Sequence, residues 1–145
     1  MEHGFLFKEG LWRAEGEFFD GTGARTGVEG TAQIRHYPDR WVYEGALRTK
    51  TSPPKETKTV YDIHPFAPGN VTTTWVSRSE ALGTLRGRFL VVGDAILSTY
   101  ESASGRYRGQ DTILQRDERG YSARGALFDG GKLLSAWAIE LVRAA

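Results

Sequence analysis

The sequence of 145 residues contains no cysteine and a single methionine. The absence of cysteine excludes disulfides, cysteine nucleophiles and thiolate metal sites. The first nine residues also lack the basic start, the long apolar stretch and the small-residue cleavage site of a secretory signal. From these two absences we expect a cytoplasmic protein.

Long apolar runs and an excess of one charge are also missing. No run approaches the ~20 apolar residues that a helix needs to cross a bilayer, so we predict no membrane span. Nineteen basic and eighteen acidic residues, mixed along the chain, give a formal charge of +1. This balance lacks the positive surface that nucleic-acid binding requires. The length fits one domain over residues 1–145.

The sequence shows no sustained helical period, whereas alternation of apolar and polar residues recurs throughout. In the first alternating stretch, Trp12, Ala14, Gly16 and Phe18 share one face, and charged residues mostly occupy the other. Turn residues such as Gly93-Asp94 separate such stretches. The pattern predicts ten strands, at residues 11–19, 26–36, 40–48, 57–64, 71–78, 85–92, 95–101, 106–115, 121–128 and 132–143.

The connections between these strands are too short to contain a crossover helix, so neighbouring strands should pair antiparallel. Closure of the sheet would remove its exposed edges. We therefore predict an all-β fold, a single closed antiparallel meander β-barrel of about ten strands. The apolar residues Phe5, Leu6 and Phe7 suit a helical turn that caps one end, and the polar stretch 49–56 suits an exposed loop.

Gly10-Leu11-Trp12 opens the first strand and Arg143 ends the last. These residues resemble the calycin superfamily, which includes lipocalins, fatty-acid-binding proteins and nitrobindin-like barrels. The resemblance implies a barrel with a ligand in its lumen, in which Trp12 plugs one end beneath the Arg143 guanidinium. Haem-binding members use a histidine late in the chain, whereas the histidines here are His3, His36 and His64. We therefore predict no haem and no other cofactor.

Asp62 and His64 are two positions apart on one predicted strand, so their side chains share a face. They could form an acid–base pair or two metal ligands. A metal site of this kind normally needs a third ligand, and the spacing marks none. We favour a polar strand end before Pro65 and predict no metal site. No common catalytic motif occurs, so the catalytic residues, if any, are not identified.

Mid-strand aromatic residues are the better lead to a binding site. If the more apolar face of each strand points inward, they converge on the lumen, where they line a cavity or simply fill the core. A barrel of more than eight strands is wider than side chains easily fill, which favours a cavity. The predicted ligand-binding residues are Tyr43, Tyr61, Trp75, Phe89, Tyr100 and Trp137.

The alternation leaves open which face of residues 40–48 and 106–115 points inward. If Val42, Glu44, Ala46 and Arg48 faced the lumen, Glu44 would be a buried carboxylate in need of a cationic partner. The cavity would then be polar rather than aromatic.

The leading functional hypothesis is a lipocalin-like protein that binds a small apolar or amphipathic molecule in the barrel. One alternative is a barrel enzyme of the cyclase, isomerase or lyase type, with Tyr and Glu as acid–base groups. Another is a protein-interaction module with no ligand. The sequence identifies neither the ligand nor the oligomeric state.

Overall fold

The computed structural model describes residues 2–145, and Met1 lies outside the described residues. Each of the ten predicted strands is present, with its ends displaced by two residues at most. The strands are β1 Gly10–Asp20, β2 Arg25–His36, β3 Trp41–Thr49, β4 Glu56–Ile63, β5 Thr72–Ser79, β6 Gly83–Val92, β7 Ala95–Ser102, β8 Tyr107–Asp117, β9 Gly120–Asp129 and β10 Lys132–Arg143.

Every strand pairs antiparallel with its neighbours along the chain, and β1 pairs with β10 to close the barrel. The predicted fold class is therefore confirmed. The closing register places Trp12 opposite Arg143 and Phe18 opposite Trp137. Within residues 2–145, no helix is long and apolar enough to cross a membrane.

An N-terminal turn fills one end of the barrel, which we call the closed end. The Lys8 amide donates to the Gly4 carbonyl, 3.3 Å away, so residues 4–8 form a hydrogen-bonded turn. The predicted helical turn is wrong in its geometry, because Leu6 has a left-handed backbone, but a turn does cap this end of the barrel. Phe5 and Leu6 on this turn are buried in the hydrophobic core. Leu6 has a φ of 70°, a left-handed conformation that costs a side-chain-bearing residue roughly 1–2 kcal/mol. Its burial, and the bond from its carbonyl to His36 Nε2 at 2.7 Å, offset this cost.

Trp12 lies at the closed end, where it is fully buried. The Arg143 guanidinium is 5.8 Å from the centroid of the indole ring, and its Nη2 donates to the Glu9 carbonyl at 2.8 Å. Gly10 leaves room for this arrangement, because a Cβ there would come within 2.7 Å of Nη2 of Arg143. The glycine two residues before the tryptophan thus has a steric role in this plug.

The structure decides which faces of β3 and β8 point inward. On β3, Tyr43 and Leu47 face the lumen, whereas Glu44 is exposed and lies 3.4 Å from Arg35 on the outer surface. The alternative with Glu44 inside the barrel is therefore wrong. On β8, Asp111 and Ile113 face the lumen. The lumen does contain a carboxylate, but it comes from β8.

Candidate functional site

A cavity of about 580 Å³ occupies the lumen between the N-terminal turn and the opposite end of the barrel. Phe5 and Leu6 form its upper boundary, and apolar side chains from most strands form its wall. Five of the six predicted ligand-binding residues are among those that line it: Tyr43, Tyr61, Phe89, Tyr100 and Trp137.

Trp75 is the sixth predicted residue, and it lies behind the lining rather than in it. Its indole is stacked on the Tyr61 ring, with centroids 3.9 Å apart and planes 6° apart. Gly87, its partner on β6, permits this position, since a Cβ there would overlap the indole. Trp75 is 1% exposed, and its Nε1 donates to Ser98 Oγ at 3.2 Å. It supports Tyr61 from behind and does not touch the cavity, which corrects the prediction for this residue.

Asp111 is the one carboxylate deep in the cavity wall. In the register, Asp111 on β8 and Trp137 on β10 both lie opposite Gly125 on β9. Because Gly125 has no side chain, the two meet above it, and Trp137 Nε1 donates to Asp111 Oδ1 at 2.6 Å. Within residues 2–145, Asp111 has no second hydrogen-bond donor and no cationic group within 4 Å. Its remaining acceptor capacity is available to a ligand.

The low dielectric of the lumen shifts the titration of its polar groups. Burial raises the pKa of Asp111 to about 6, against a smaller lowering by the hydrogen bond from Trp137. Burial, followed by the charge of Asp111, raises the pKa of Tyr43 to about 12, and the same causes raise the pKa of Tyr61 and of Tyr100. Near neutral pH the cavity therefore contains protonated phenols and one carboxyl group that can exchange a proton.

The sequence pattern did not identify Asp111 as a site residue, although the alternation along β8 allowed this side chain to face the lumen. Gly109 and Ile113 share its face of β8, so an inward carboxylate was one of the two open alternatives. Nothing in β8 itself distinguishes the two faces, because the other face contains Thr112 and Leu114. The deciding partner, Trp137, lies 26 residues further along the chain.

At the end opposite the N-terminal turn, which we call the open end, the lining becomes polar. Lys55, Lys58 and Arg78 line this part of the cavity, together with threonine and serine side chains. The loop between β3 and β4, which the sequence predicted to be an exposed segment, thus contributes Lys55 to the cavity. Asp20 also lies there, but its Oδ1 accepts bonds from the amide and hydroxyl of Thr22 in its own turn.

Asp62 and His64 do not form a site. The Asp62 carboxylate lies 3.5 Å from Arg40, and His64 Nδ1 lies 3.0 Å from the Pro65 carbonyl, both on the exposed outer surface. His3 and His36 bond to the closed end, through Tyr121 Oη at 2.8 Å and the Leu6 carbonyl. Across residues 2–145 there is no cluster of three or more His, Cys, Asp or Glu side chains suited to a metal ion.

The chain resembles a solved S-type phycobiliprotein lyase from Guillardia theta, with a TM-score of 0.67 over 95% of this chain and 89% of that one. At 11% sequence identity this likeness concerns the fold alone.

A second solved structure gives a much weaker match. An N-terminal dehydratase from the difficidin assembly line matches with a TM-score of 0.27 and 10% identity, over 98% of this chain and 80% of that one. A score this low supports no argument about fold or chemistry. No protein-family model matches the chain, and a search of curated proteins finds no match.

Proposed function

We propose that this barrel binds a small amphipathic molecule with an extended aromatic or conjugated body and a hydrogen-bond donor. The observation that supports this most directly is the lumen itself, a cavity of about 580 Å³ with an aromatic wall and one incompletely bonded carboxylate. Ligand pockets typically measure ~300–1,000 Å³ and combine apolar walls with a few polar groups that orient the ligand.

The wall favours a flat, polarisable ligand. Tyr61 packs at 5.2 Å from Tyr43 and 6.4 Å from Phe89, measured between ring centroids, so rings from neighbouring strands form one continuous surface. A planar ligand gains both apolar burial and ring stacking on such a surface. An N–H or O–H group of the ligand would then donate to Asp111.

N-phenyl-1-naphthylamine, a neutral aromatic amine whose fluorescence rises in apolar surroundings, is a suitable probe. We expect it to bind at about one molecule per barrel and to quench tryptophan fluorescence. Ala123→Phe should weaken this binding, because Ala123 lines the cavity and the added ring would occupy part of it.

Ala126→Phe is the matched control. Ala126 lies three residues away on the same strand. Its side chain points outward and does not line the cavity. This variant should bind the probe like the parent. Equal loss in both variants, or no binding by the parent, would contradict the proposal and move the interaction-module alternative ahead.

The titration of Asp111 favours a second candidate, an enzyme that moves a proton on the bound molecule. A carboxyl group with a pKa of about 6 in a cavity suits general acid–base chemistry near neutral pH. Asp111→Asn would then leave binding largely intact and abolish conversion, which mass spectrometry of the ligand after incubation would detect. Unchanged ligand with the parent protein would leave binding alone as the function.

A bilin belongs among the ligands to test. The similar barrel from Guillardia theta is a phycobiliprotein lyase, and a bilin is a conjugated molecule with pyrrole N–H donors. Absorbance changes on titration with biliverdin would report its binding. Competition with N-phenyl-1-naphthylamine would show whether it occupies the lumen.

A further inference from the structure

The seam between β4 and β5 differs from every other strand interface in the barrel. Its ladder has two paired positions, Asp62 with Val76 and Ile63 with Trp75, whereas each of the other nine interfaces has seven or more. On the closed-end side of these pairs, the His64 amide donates to the Thr74 carbonyl at 2.9 Å. Both strands are eight residues long, so they diverge below these two pairs. We call the opening between residues 56–60 and 77–79 the β4–β5 gap.

The gap is continuous with the cavity. Residues from both of its edges line the lumen, Thr57 and Thr59 on one side and Ser77 and Ser79 on the other. These inward positions have short hydroxyl side chains, which leave space between the strands. A ligand in the lumen can therefore extend a group into the gap.

Positive charge flanks the gap on both sides. Lys58 on β4 and Arg78 on β5 alternate with the inward-facing residues, so they stand at its outer rim, and Lys55 lies just before β4. Among residues 2–145, none of the three has a carboxylate within 4 Å, although Glu56 and Glu80 are close in sequence. Most other basic residues of β1–β4 are paired, such as Arg48 with Glu29.

We propose that the β4–β5 gap binds an anionic group of the ligand, between Lys58 and Arg78. This inference rests on the proposed function and adds the class and direction of the ligand: an aromatic acid, a carboxylate or sulfonate, whose donor group faces Asp111 and whose anion lies at the gap. The two cations come from separate strands and can both donate to one anion. Backbone N–H groups along the gap, where β4 and β5 do not pair, can add further donors.

Two probes with one skeleton test the proposal. 1-Anilinonaphthalene-5-sulfonate is N-phenyl-1-naphthylamine with a sulfonate at the far end of the naphthalene from the N–H. We expect the parent to bind both, with mutual displacement. Lys58→Gln/Arg78→Gln should weaken sulfonate binding at least tenfold and change the affinity for the neutral probe much less. Sulfonate affinity should also fall with added salt in the parent and respond less in the variant.

Arg86→Gln/Arg88→Gln is the matched control. These arginines are exposed on β6, next to β5, without a carboxylate within 4 Å in the described chain, and they do not line the cavity. The control should leave both affinities unchanged.

The outcomes separate this proposal from the proposed function. If the double variant in β4 and β5 binds the sulfonate like the parent, or weakens both probes equally, the anion site is overturned and lumen binding stands. Failure of the parent to bind the sulfonate while it binds the neutral probe has the same meaning. If the parent binds neither probe, both proposals fail together.

Discussion

The closed end and the cavity both contain aromatic side chains, but these side chains pack in different ways. At the closed end, Trp12 makes edge contacts with Phe5 and Tyr121, each at 5.5 Å between ring centroids, and no side is left open. In the cavity, Tyr43 and Tyr61 contact each other at 5.2 Å and present their remaining surface to the lumen. An aromatic side chain belongs to the core where other side chains pack against its inward surface, and to the cavity wall where none does.

The N-terminal turn makes the difference. Phe5 and Leu6 enter the lumen from outside the sheet and occupy the space that Trp12 and Tyr121 leave. Within residues 2–145, no such segment enters the cavity from the open end, so the wide cross-section of ten strands stays unfilled there. The closed end should therefore contribute mainly stability, and the cavity mainly binding.

The largest effect on stability is expected at the closed end. Trp12→Ala removes a fully buried indole and should lower the free energy of unfolding by about 3–5 kcal/mol. Tyr43→Ala should cost less, because part of that ring already faces the cavity. Urea denaturation of both variants measures the difference. An equal or larger loss for Tyr43→Ala would contradict the view that the closed end contributes mainly stability and the cavity mainly binding.

The next effect depends on pH and belongs to the cavity. Because the folded pKa of Asp111 is raised from 3.8 to about 6, the protonated carboxyl favours the folded state. That stabilisation is complete below pH 4 and is lost as the pH rises through about 6. Asp111→Asn has no such proton, so its stability relative to the parent should increase between pH 4 and pH 7, by at most about 3 kcal/mol.

Denaturant unfolding of the parent and Asp111→Asn at several pH values tests this, since most other titrations cancel in the difference. Asp94→Asn is the control for the chemical change itself, because Asp94 is an exposed carboxyl group in the turn between β6 and β7. A flat difference between the parent and Asp111→Asn would mean that the carboxyl group is well solvated.

A smaller effect is expected where the plug meets solvent. Arg143→Ala removes the guanidinium above Trp12 and its bond to the Glu9 carbonyl, and should destabilise the protein by ~1–3 kcal/mol. Arg13→Ala, an exposed position on the adjacent strand, is the control and should stay within about 0.5 kcal/mol of the parent. If Arg143→Ala melts like the parent, the stacking contributes nothing measurable to the closed end.

Much of the fold was predictable because strand signals are local. Alternation, turn residues and short connections are all visible within a dozen residues, and they led to ten strands in the right places and to closure. Gly10, Trp12 and Arg143 also led to the prediction that Trp12 fills one end of the barrel beneath the Arg143 guanidinium, and the structure places these two side chains together.

The sequence by itself determined the strands, their order and the presence of aromatic residues on one face. Only the tertiary structure decided what those faces meet. Asp111 became a cavity carboxylate because Gly125 and Trp137, on two other strands, come into register with it. Trp75 lies behind the cavity lining because Gly87 has no side chain, which lets the indole stack flat against Tyr61. Register across strands brings together residues far apart in the chain, and the pattern within one strand does not show which side chains of other strands will meet it.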